Sequence, residues 1–286
     1  MSILDIFTSK VEGKITNIGI GLGDSEAHNL KILKATIKLL EINKSSVYFF
    51  GNKSSINQIS KNTLYKKNSK RIFLIDSNEP ESEILNYLGK ELISCVVRGS
   101  LGSSKFLQSL KTSLNISEIA RLALLETYKG QQFFFGPVGI DECNNIKNKK
   151  IFLEKAIKIL EALNLKPKIS ILSGGRVGDL GRNPDVDKTI NEAKELVDYF
   201  KLEHPKLEIN HTEILIEKAI NDKSNLILAP NGISGNLIYR TLVHLGGGKA
   251  YGAIYMDIGH IIIDTSRVGD FSEIYGGFIL ALALTH

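Results

Sequence analysis

Leu226-Ile227-Leu228-Ala229 is an apolar run that breaks at Pro230-Asn231-Gly232 and continues into Ser234-Gly235-Asn236. A second apolar run, Ala250 to Met256, leads on to the polar corner Asp264-Thr265-Ser266-Arg267. A strand that ends in small polar residues at the start of a helix leaves backbone N–H groups free, and such a start suits an anion. The hydroxyl and the guanidinium of the corner are donors that fit a phosphate or an oxyanion. This stretch therefore predicts strands that are each followed by a turn able to bind an anion.

Upstream of this stretch, apolar strand patterns alternate with single helical patterns. The first strand, Ile15 to Ile20, is followed by a helix from Glu26 to Leu40 with Leu30, Leu33 and Ile37 at helical spacing. The further segments of this half are strands at 47–50, 71–75 and 93–97 and helices at 54–60, 80–92 and 104–114. Strands separated by single helices predict βαβ units and a mostly parallel sheet.

The pattern changes after Ser113, and a domain boundary is expected there. Residues 116–127 and 132–135 resemble two consecutive strands, although the first segment also fits a helix. A linker-like run at 141–150 precedes the next helix. Asn183 is a suitable N-cap for a helix from Pro184 to Phe200. The remaining predicted segments are helices at 152–163 and 213–220 and a strand at 168–172.

Composition excludes several classes of protein. The 286 residues are 43% hydrophobic and 23% charged with a net charge of +5, which indicates an ordinary globular protein of one or two domains. Cys95 and Cys143 are too few for a disulfide framework. The basic patch Tyr65 to Arg71 lacks interleaved aromatic residues, and no apolar run reaches the roughly 18 residues of a membrane span. We therefore expect a cytoplasmic protein with no nucleic-acid or membrane partner.

Two glycine-rich loops are candidate binding sites. Gly19 to Gly23 lacks the G-x-G-x-x-G spacing of a dinucleotide site and predicts a tight strand-to-helix turn. The loop from Ser173 to Arg182 is either a mobile surface turn or a phosphate-approach loop, in which glycine lets the backbone close on a ligand; the second interpretation is favoured. Ser234-Gly235-Asn236 either caps a helix or holds a ligand. The apolar segment Phe278 to Leu284 indicates a core or dimer-interface helix.

The sequence predicts no metal site. The histidines lack metal-ligand spacing with one another or with the cysteines. Asp179, Asp185 and Asp187 are scattered rather than clustered, and Cys95 lies within an apolar strand, where a thiol is buried and inert. Glu142 follows Gly139 in an acidic turn that is expected to be structural.

Several of these segments carry a family resemblance. The Pro230–Arg240 segment with Asp264–Arg267 resembles the C-terminal signature of the phosphate acetyl/butyryltransferases. Ile169–Ser173 with Asn183–Lys188 is similar to their middle motif, a strand ending in serine followed by "P-E/D-V-D-K", and Ile93–Ser100 resembles their first-domain glycine turn more weakly. The whole chain is similar to a divergent branch found in methanogens, the methanogenesis marker 4 or Mtx subunit X proteins, which carry a methyltransferase-related label.

The resemblance implies roles for a few residues. The serine and arginine that match Ser266 and Arg267 stabilise the transition state of acyl transfer between a thiol and phosphate. Glu273 stands where those enzymes have an aspartate that takes the thiol proton. Glutamate is one methylene longer than aspartate, so its carboxylate is displaced, which matters for a base that must be precisely positioned. Val268 replaces a glycine of the family, and Arg98 replaces a small residue. The arginine indicates either a more anionic ligand or an internal ion pair.

The resemblance also implies a fold: an α/β, two-domain isocitrate/isopropylmalate dehydrogenase-like fold with an interdomain cleft. Residues 1–113 with 254–286 would form the first domain and residues 114–253 the second. Relatives of this kind pair through helices, so a homodimer is expected. The implied ligands are phosphate and coenzyme A or another thiol cofactor, together with a small-molecule substrate.

Two functions are consistent with this sequence. The first is a group transferase with Ser266, Arg267 and Glu273 as catalytic residues; the predicted ligand-binding residues are Arg98, Ser173, Gly174, Arg176, Ser234, Gly235 and Asn236. The second is a non-catalytic ligand-binding or accessory protein of methanogen methyltransferase metabolism. A Glu273 carboxylate that faces the Ser266–Arg267 corner favours the enzyme, and one that faces solvent favours the binding protein.

Overall fold

The computed structural model describes residues 2–267 and 269–285, which form a mixed α/β structure. The chain divides into two compact units, residues 1–119 with 250–286 (unit 1) and residues 120–249 (unit 2). The strands of unit 1 are β1 (Asn17–Gly21), β2 (Ser46–Gly51), β3 (Ile72–Asp76), β4 (Cys95–Val97), β10 (Lys249–Tyr255) and β11 (Ile261–Asp264). Its helices are α1 (Ile3–Val11), α2 (Glu26–Ile42), α3 (Lys53–Lys61), α4 (Thr63–Asn68), α5 (Pro80–Gly89), α6 (Ser103–Leu114) and α11 (Phe271–Leu284).

The sheet of unit 1 has the strand order β3-β2-β1-β4-β11-β10. Strand β4 lies parallel to β1, with Val97 opposite Ile20, and parallel to β11, with Val97 opposite Ile263. The chain visits β2 and β3 before it returns to β4, so the order of strands reverses between β1 and β4. In open α/β sheets, ligands bind outside the carboxyl ends of the strands at such a switch point.

The core of unit 1 includes helix α11, whose residues Phe278 to Leu282 are completely buried. A helix that is apolar on all sides is typical of a buried position. It packs against α1 and α2 within the unit. Of the two interpretations of this segment, the core helix is therefore correct.

Unit 2 contains a second sheet segment of order β5-β6-β9-β7-β8. Strands β5 and β6 form an antiparallel hairpin, whereas β9 pairs in parallel with both β6 and β7. The carboxyl ends of β6, β9 and β7 therefore meet at one edge. Its strands are β5 (Arg121–Glu126), β6 (Gln132–Gly136), β7 (Lys168–Leu172), β8 (Glu208–Glu213) and β9 (Leu226–Leu228), and its helices are α7 (Ile146–Ala162), α8 (Pro184–Glu203), α9 (Ile216–Asn221) and α10 (Gly232–His244).

Most predicted elements are confirmed, and the exceptions have local causes. The mostly parallel pairing and the Asn183 cap of α8 are as expected. The segment after residue 116 forms strand β5, so its helical alternative is wrong. The linker-like run at 141–150 contains the start of α7, because the Asn145 carboxamide accepts the Asn148 N–H at 2.9 Å and caps the helix. Within the described residues, the helices are all too short or too polar to cross a membrane.

Candidate functional site

The switch point of unit 1 is built from two turns that interlock. Gly99 follows β4 with a φ of +64°, and a Cβ there would lie 2.1 Å from the Gly21 carbonyl oxygen. Ser100 accepts a hydrogen bond from the Gly23 N–H at 2.6 Å and donates one to the Asn29 side chain at 3.0 Å. Only glycine allows the two strand ends to approach so closely. The tight turn predicted at Gly19 to Gly23 is thus present, and it is hydrogen-bonded to the turn after β4.

Helix α6 starts directly at this edge with its first turn open. In the part of the chain that the structure describes, no side chain caps the helix at Gly102. Unsatisfied N–H groups and the helix dipole make such a start favourable for an anion. A cavity of about 380 Å³ lies against it; its lining consists of Leu22, Gly23, Asp24, Asn52, Asn78, Pro80, Glu81, Ser100, Leu101, Gly102, Ser103, Ser104, Lys105 and Arg267.

The buried side chain of Arg98 joins the β4 turn to the corner after β11. Its Nε donates to the Asp264 carboxylate, Nη1 donates to the Leu101 carbonyl at 2.5 Å, and Nη2 donates to the Thr265 carbonyl. The Arg98 side chain is 5% exposed. Burial lowers the pKa of Arg98, but electrostatic interactions with Asp264, Tyr255 and Glu273, of which Asp264 is the largest, outweigh this and raise the pKa overall. Of the two interpretations of Arg98, the structure shows the internal ion pair; its contact with a ligand stays a prediction.

The corner that carries Ser266 and Arg267 is held by Glu273 from the first turn of α11. Glu273 is 5% exposed, and its carboxylate accepts the Ser266 backbone N–H at 2.7 Å. A Cβ on Gly269 would lie 2.3 Å from the same carboxylate, so the chain closes tightly around it. Glu273 therefore faces the corner and not solvent. Arg267 is exposed and lines the cavity, while Val268 lies outside the described residues.

In unit 2, the loop that begins at Ser173 is tied to its surroundings. The Ser173 hydroxyl donates to the Gly175 carbonyl at 2.8 Å and lies 2.8 Å from His211 Nε2. The Gly174 N–H donates to the Thr189 hydroxyl on α8 at 2.8 Å. Arg176 is exposed, and its backbone N–H donates to Asp179 at 2.8 Å. Burial lowers the pKa of His211. These hydrogen bonds connect the loop to α8 and β8, and its role in binding phosphate stays a prediction.

The predicted ligand residues on α10 also have structural contacts. Ser234 forms a reciprocal capping box with Asn231: the Asn231 side chain accepts the Ser234 N–H at 2.9 Å. A Cβ on Gly235 would lie 1.9 Å from the Pro137 carbonyl oxygen. The Asn236 carboxamide donates to the Val138 carbonyl at 2.9 Å. Of the two interpretations of this turn, the helix cap accounts for Ser234, and the start of α10 is fastened to the loop after β6.

The acidic turn after Gly139 is structural, as expected. Glu142 is buried and forms an ion pair with Arg121 at 2.8 Å, and the Arg121 backbone N–H donates to its other oxygen at 3.2 Å. Burial raises the pKa of Glu142 although the Arg121 guanidinium opposes the rise. The carbonyl of Glu142 accepts the Gly232 N–H at 3.0 Å, so this turn also anchors α10.

The two cysteines are buried thiols. Burial raises the pKa of Cys95 to about 12 and shifts the pKa of Cys143 upward as well. Neither thiol is therefore a reactive thiolate near neutral pH. Among residues 2–267 and 269–285, no group of three His, Cys, Asp or Glu side chains is arranged to hold a metal ion.

Comparison with known proteins decides the family. A protein of Methanosarcina mazei named "Putative methyltransferase mtx subunit X" is 36% identical over 287 aligned positions, which cover 100% of this chain and 96% of that protein. No family model matches the sequence. The chain belongs to the mtx subunit X family.

The fold of this mtx subunit X family member is similar to that of several solved structures. A phosphotransacetylase from Streptococcus pyogenes superposes with a TM-score of 0.71 at 17% identity, covering 99% of this chain and 98% of that one. A branched-chain phosphotransacylase from Enterococcus faecalis gives a TM-score of 0.70 at 16% identity, covering 95% and 100%. At such low identity the likeness establishes the fold alone. This chain therefore has a phosphate acyltransferase-like fold.

Most of the residues that line the cavity were not predicted from the sequence. Asp24, Glu81 and Lys105 are far apart in sequence, and only the strand order of unit 1 brings them to one edge. One local signal was present for Lys105. The strand 93–97 leads into a helix whose first turn, Ser103-Ser104-Lys105, contains a cation but no acidic residue. A helix start of that composition is more favourable for an exogenous anion than for self-capping.

Proposed function

We propose that this chain is a group transferase that moves an acyl-type group between phosphate and a thiol, and that this reaction serves methyl-transfer metabolism. The observation that carries the proposal is the orientation of Glu273. Its carboxylate is buried against the Ser266 N–H, and Arg267 of the same corner lines the cavity at the switch point. A carboxylate that holds the backbone of a corner bearing a hydroxyl and a guanidinium, together with an open helix start on the cavity that Arg267 lines, supports acyl transfer.

The proposed roles follow from these contacts. The open start of α6 with Lys105 would bind the phosphate group, and Arg267 would neutralise charge that develops on the reacting oxygens. Arg98 and Asp264 are proposed as positioning residues, because the Arg98 guanidinium is occupied by the Asp264 carboxylate and by the Leu101 and Thr265 carbonyls, and so fastens the corner. We propose the two-domain isocitrate/isopropylmalate dehydrogenase-like arrangement as the setting of this site.

The proposed step balances without a metal or a redox partner. The thiol sulfur attacks the acyl carbon, and Glu273 takes the thiol proton. The carbon–oxygen bond to phosphate breaks, and phosphate leaves with the electron pair of that bond. Ser266 would donate a hydrogen bond from its hydroxyl to the oxyanion of the tetrahedral intermediate and keep its proton. Coenzyme A or another thiol cofactor is the proposed acceptor.

The test is a calorimetric and thermal-shift titration with phosphate, coenzyme A, acetyl-CoA and coenzyme M. A ligand that binds the native state raises the melting temperature with the logarithm of its concentration over Kd. We expect saturable binding of phosphate and of one thiol, weakened in Arg267→Ala. Lys70→Ala is the control, because it removes one exposed positive charge that does not line the cavity.

A thiol-release assay with acetyl-CoA and phosphate then separates the two functions. The transferase releases free thiol, and Glu273→Gln stops the release while binding persists. Binding without any release would favour the accessory protein instead. No response to phosphate or to any thiol, in a protein that unfolds cooperatively, would remove the transferase proposal.

A further inference from the structure

Helix α10 has a mostly apolar stripe that the chain itself leaves uncovered. Ile233, Leu237, Thr241 and Leu245 follow one another at intervals of four residues along the helix and its C-cap, so they lie on one side of it. The three apolar members are 60%, 61% and 85% exposed, in the order of the chain. A surface helix ordinarily turns its apolar stripe towards the core of its own domain. This stripe is instead available to a partner.

The remainder of α10 is also incompletely packed. Its buried residues are Gly232 and Gly235, whereas Ile238, Leu242 and Val243 stay partly exposed. Helix α8 of the same unit, by contrast, buries five residues, four of them large and apolar. Most of the stability of a protein helix comes from the packing of its apolar face. In α10 that packing is incomplete without a further contact.

A groove of about 720 Å³ adjoins the stripe and lies against α10, α9 and the β5–β6 hairpin. Phe133 and Ile220 belong to its apolar lining, and Leu237 of the stripe lines it as well. Ile233 and Leu245 lie outside this lining. The uncovered apolar surface therefore extends beyond what one small molecule in the groove would cover. A continuous apolar surface of this kind is typical of a protein–protein interface.

The charges and the shape of this surface favour a second copy of the same chain. Lys129 at the hairpin turn and Glu217 on α9 both line the groove, and among the described residues neither forms an ion pair. In a two-fold interface, the contact of one residue with another is repeated in reverse, so the Lys129 of each copy can meet the Glu217 of the other. Helices also commonly pack with the four-residue ridges of both partners interdigitated, which suits the stripe to its own copy.

We propose that a second copy of this chain covers the α10 stripe and the groove beside it, in a two-fold dimer formed by unit 2. The other helix that was a candidate for an interface, α11, is not used, because its residues Phe278 to Leu282 are buried in the core of unit 1. The stripe and the groove belong to unit 2 and share no residue with the lining of the unit 1 cavity. The inference therefore does not depend on the proposed function.

The test is sedimentation equilibrium of the full chain at about 0.1 to 100 µM, a range that brackets a Kd of about 1 µM. In its upper part we expect twice the chain mass of 31.6 kDa for wild-type protein. Leu237→Glu would bury an unpaired charge in the contact and should raise the Kd more than about tenfold. Leu202→Glu is the matched control, because Leu202 on α8 is 77% exposed and lies outside the groove, and it should leave the Kd unchanged.

A charge exchange gives a second test that leaves the apolar stripe intact. Lys129→Glu and Glu217→Lys should each weaken the dimer severalfold, because like charges then meet across the interface. The double variant should recover the wild-type affinity, since opposite charges face each other again. Circular dichroism checks that every variant is folded, and the charge exchange decides if Leu237→Glu does not fold.

Several outcomes would overturn the inference. Wild-type protein that stays monomeric throughout the range does so, and the stripe would then be left for a different partner. A dimer that Leu237→Glu does not weaken has its interface elsewhere. Equal weakening by Leu237→Glu and Leu202→Glu would show that the effect is not specific to α10. A double charge variant that is no tighter than the two single ones would contradict the pairing of Lys129 with Glu217 between copies.

Discussion

Each unit has a sheet edge where the carboxyl ends of parallel strands meet. In unit 1 these strands are β1, β4 and β11. The two edges contain the same kinds of residue, but the side chains make different contacts. Both have glycine turns, serines and a helix that starts directly after a parallel strand. In unit 2, Ser234 and Asn236 are hydrogen-bonded to the chain itself at the start of α10. In unit 1, α6 starts without a side-chain cap among the described residues, and a polar cavity lies against it.

The difference teaches that small polar residues at a helix start do not by themselves indicate a ligand. At the start of α10 the Asn231 side chain accepts the Ser234 N–H, and the Glu142 carbonyl accepts the Gly232 N–H. Ser103 and Ser104 follow Gly102 and have no such partner in the cap position. The edge whose N–H groups stay open is therefore the better candidate for binding, although the other edge has the more recognisable sequence.

The largest expected effect tests what holds the edge of unit 1 together. Arg98→Met leaves the Asp264 carboxylate buried without its guanidinium and removes a donor from two carbonyl groups. Breaking a buried ion pair in this way costs about 3 to 5 kcal/mol of unfolding free energy. Urea unfolding followed by circular dichroism measures the loss.

Two further variants check that the loss comes from the unpaired charge. Arg182→Met breaks an ion pair with Asp179 in which the arginine is 76% exposed, so it should lower the unfolding free energy far less than Arg98→Met does. The double variant Arg98→Met/Asp264→Leu should recover part of the stability, because no buried charge is then left unpaired. The single variant Asp264→Leu completes the comparison. If the double variant lost as much unfolding free energy as Arg98→Met and Asp264→Leu lose in sum, this account would be contradicted.

The next prediction concerns the edge of unit 2. Asn231→Ala removes the acceptor of the Ser234 N–H and should cost about 1 kcal/mol, the usual effect of losing an N-cap. Its phosphate titration should match that of the wild type, because the contact that is lost is structural. Weaker phosphate binding with unchanged stability would show instead that this turn belongs to the ligand site.

The sequence predicted the elements well and the use of their side chains less well. Periodic apolar residues located α2 and α8, and the Asn183 cap of α8 was visible as a local pattern. Helix α1 was missed, although Ser2 and Asp5 form a capping box there that has a sequence signature. Strand β8 was missed because Glu208–Glu213 is polar and lies at the end of its sheet.

Only part of the candidate site was predicted, because some of its residues are close in sequence and others meet only in the fold. Ser266, Arg267 and Glu273 are close in sequence, so a local motif could find them. Asp24, Glu81 and Lys105 meet only because β4 returns to pair with β1 across two intervening strands. The partner of Arg98 is 166 residues away, and both of its alternatives were therefore open until the pairing of β4 with β11 was known.

A smaller effect is expected from Lys105. Lys105→Ala removes one exposed charge from the first turn of α6 and should weaken phosphate binding about threefold, with unfolding free energy within about 0.5 kcal/mol of the wild type. Lys111→Ala, in the last turn of the same helix, is the matched control and should not weaken binding. Equal losses in both variants would mean that net charge, and not the open helix start, attracts the anion.

The smallest effect compares one histidine of each unit. Burial lowers the pKa of His28 and of His211 below their ordinary value of 6.5, with Lys31 and Arg98 adding to the shift at His28 against Asp270. The unfolded chain therefore takes up these protons first, so the stability is present above pH 6.5 and is lost as the pH falls from there. His28→Leu and His211→Leu should each flatten this decline in urea titrations between about pH 7.5 and 5.5. His28 Nε2 is buried and has no hydrogen-bond partner in the described chain, whereas His211 contacts Ser173. At pH 7.5, His28→Leu should therefore leave the free energy of unfolding nearly unchanged, whereas His211→Leu should lower it by about 1 kcal/mol. A larger loss in His28→Leu than in His211→Leu would contradict the contrast between the two edges.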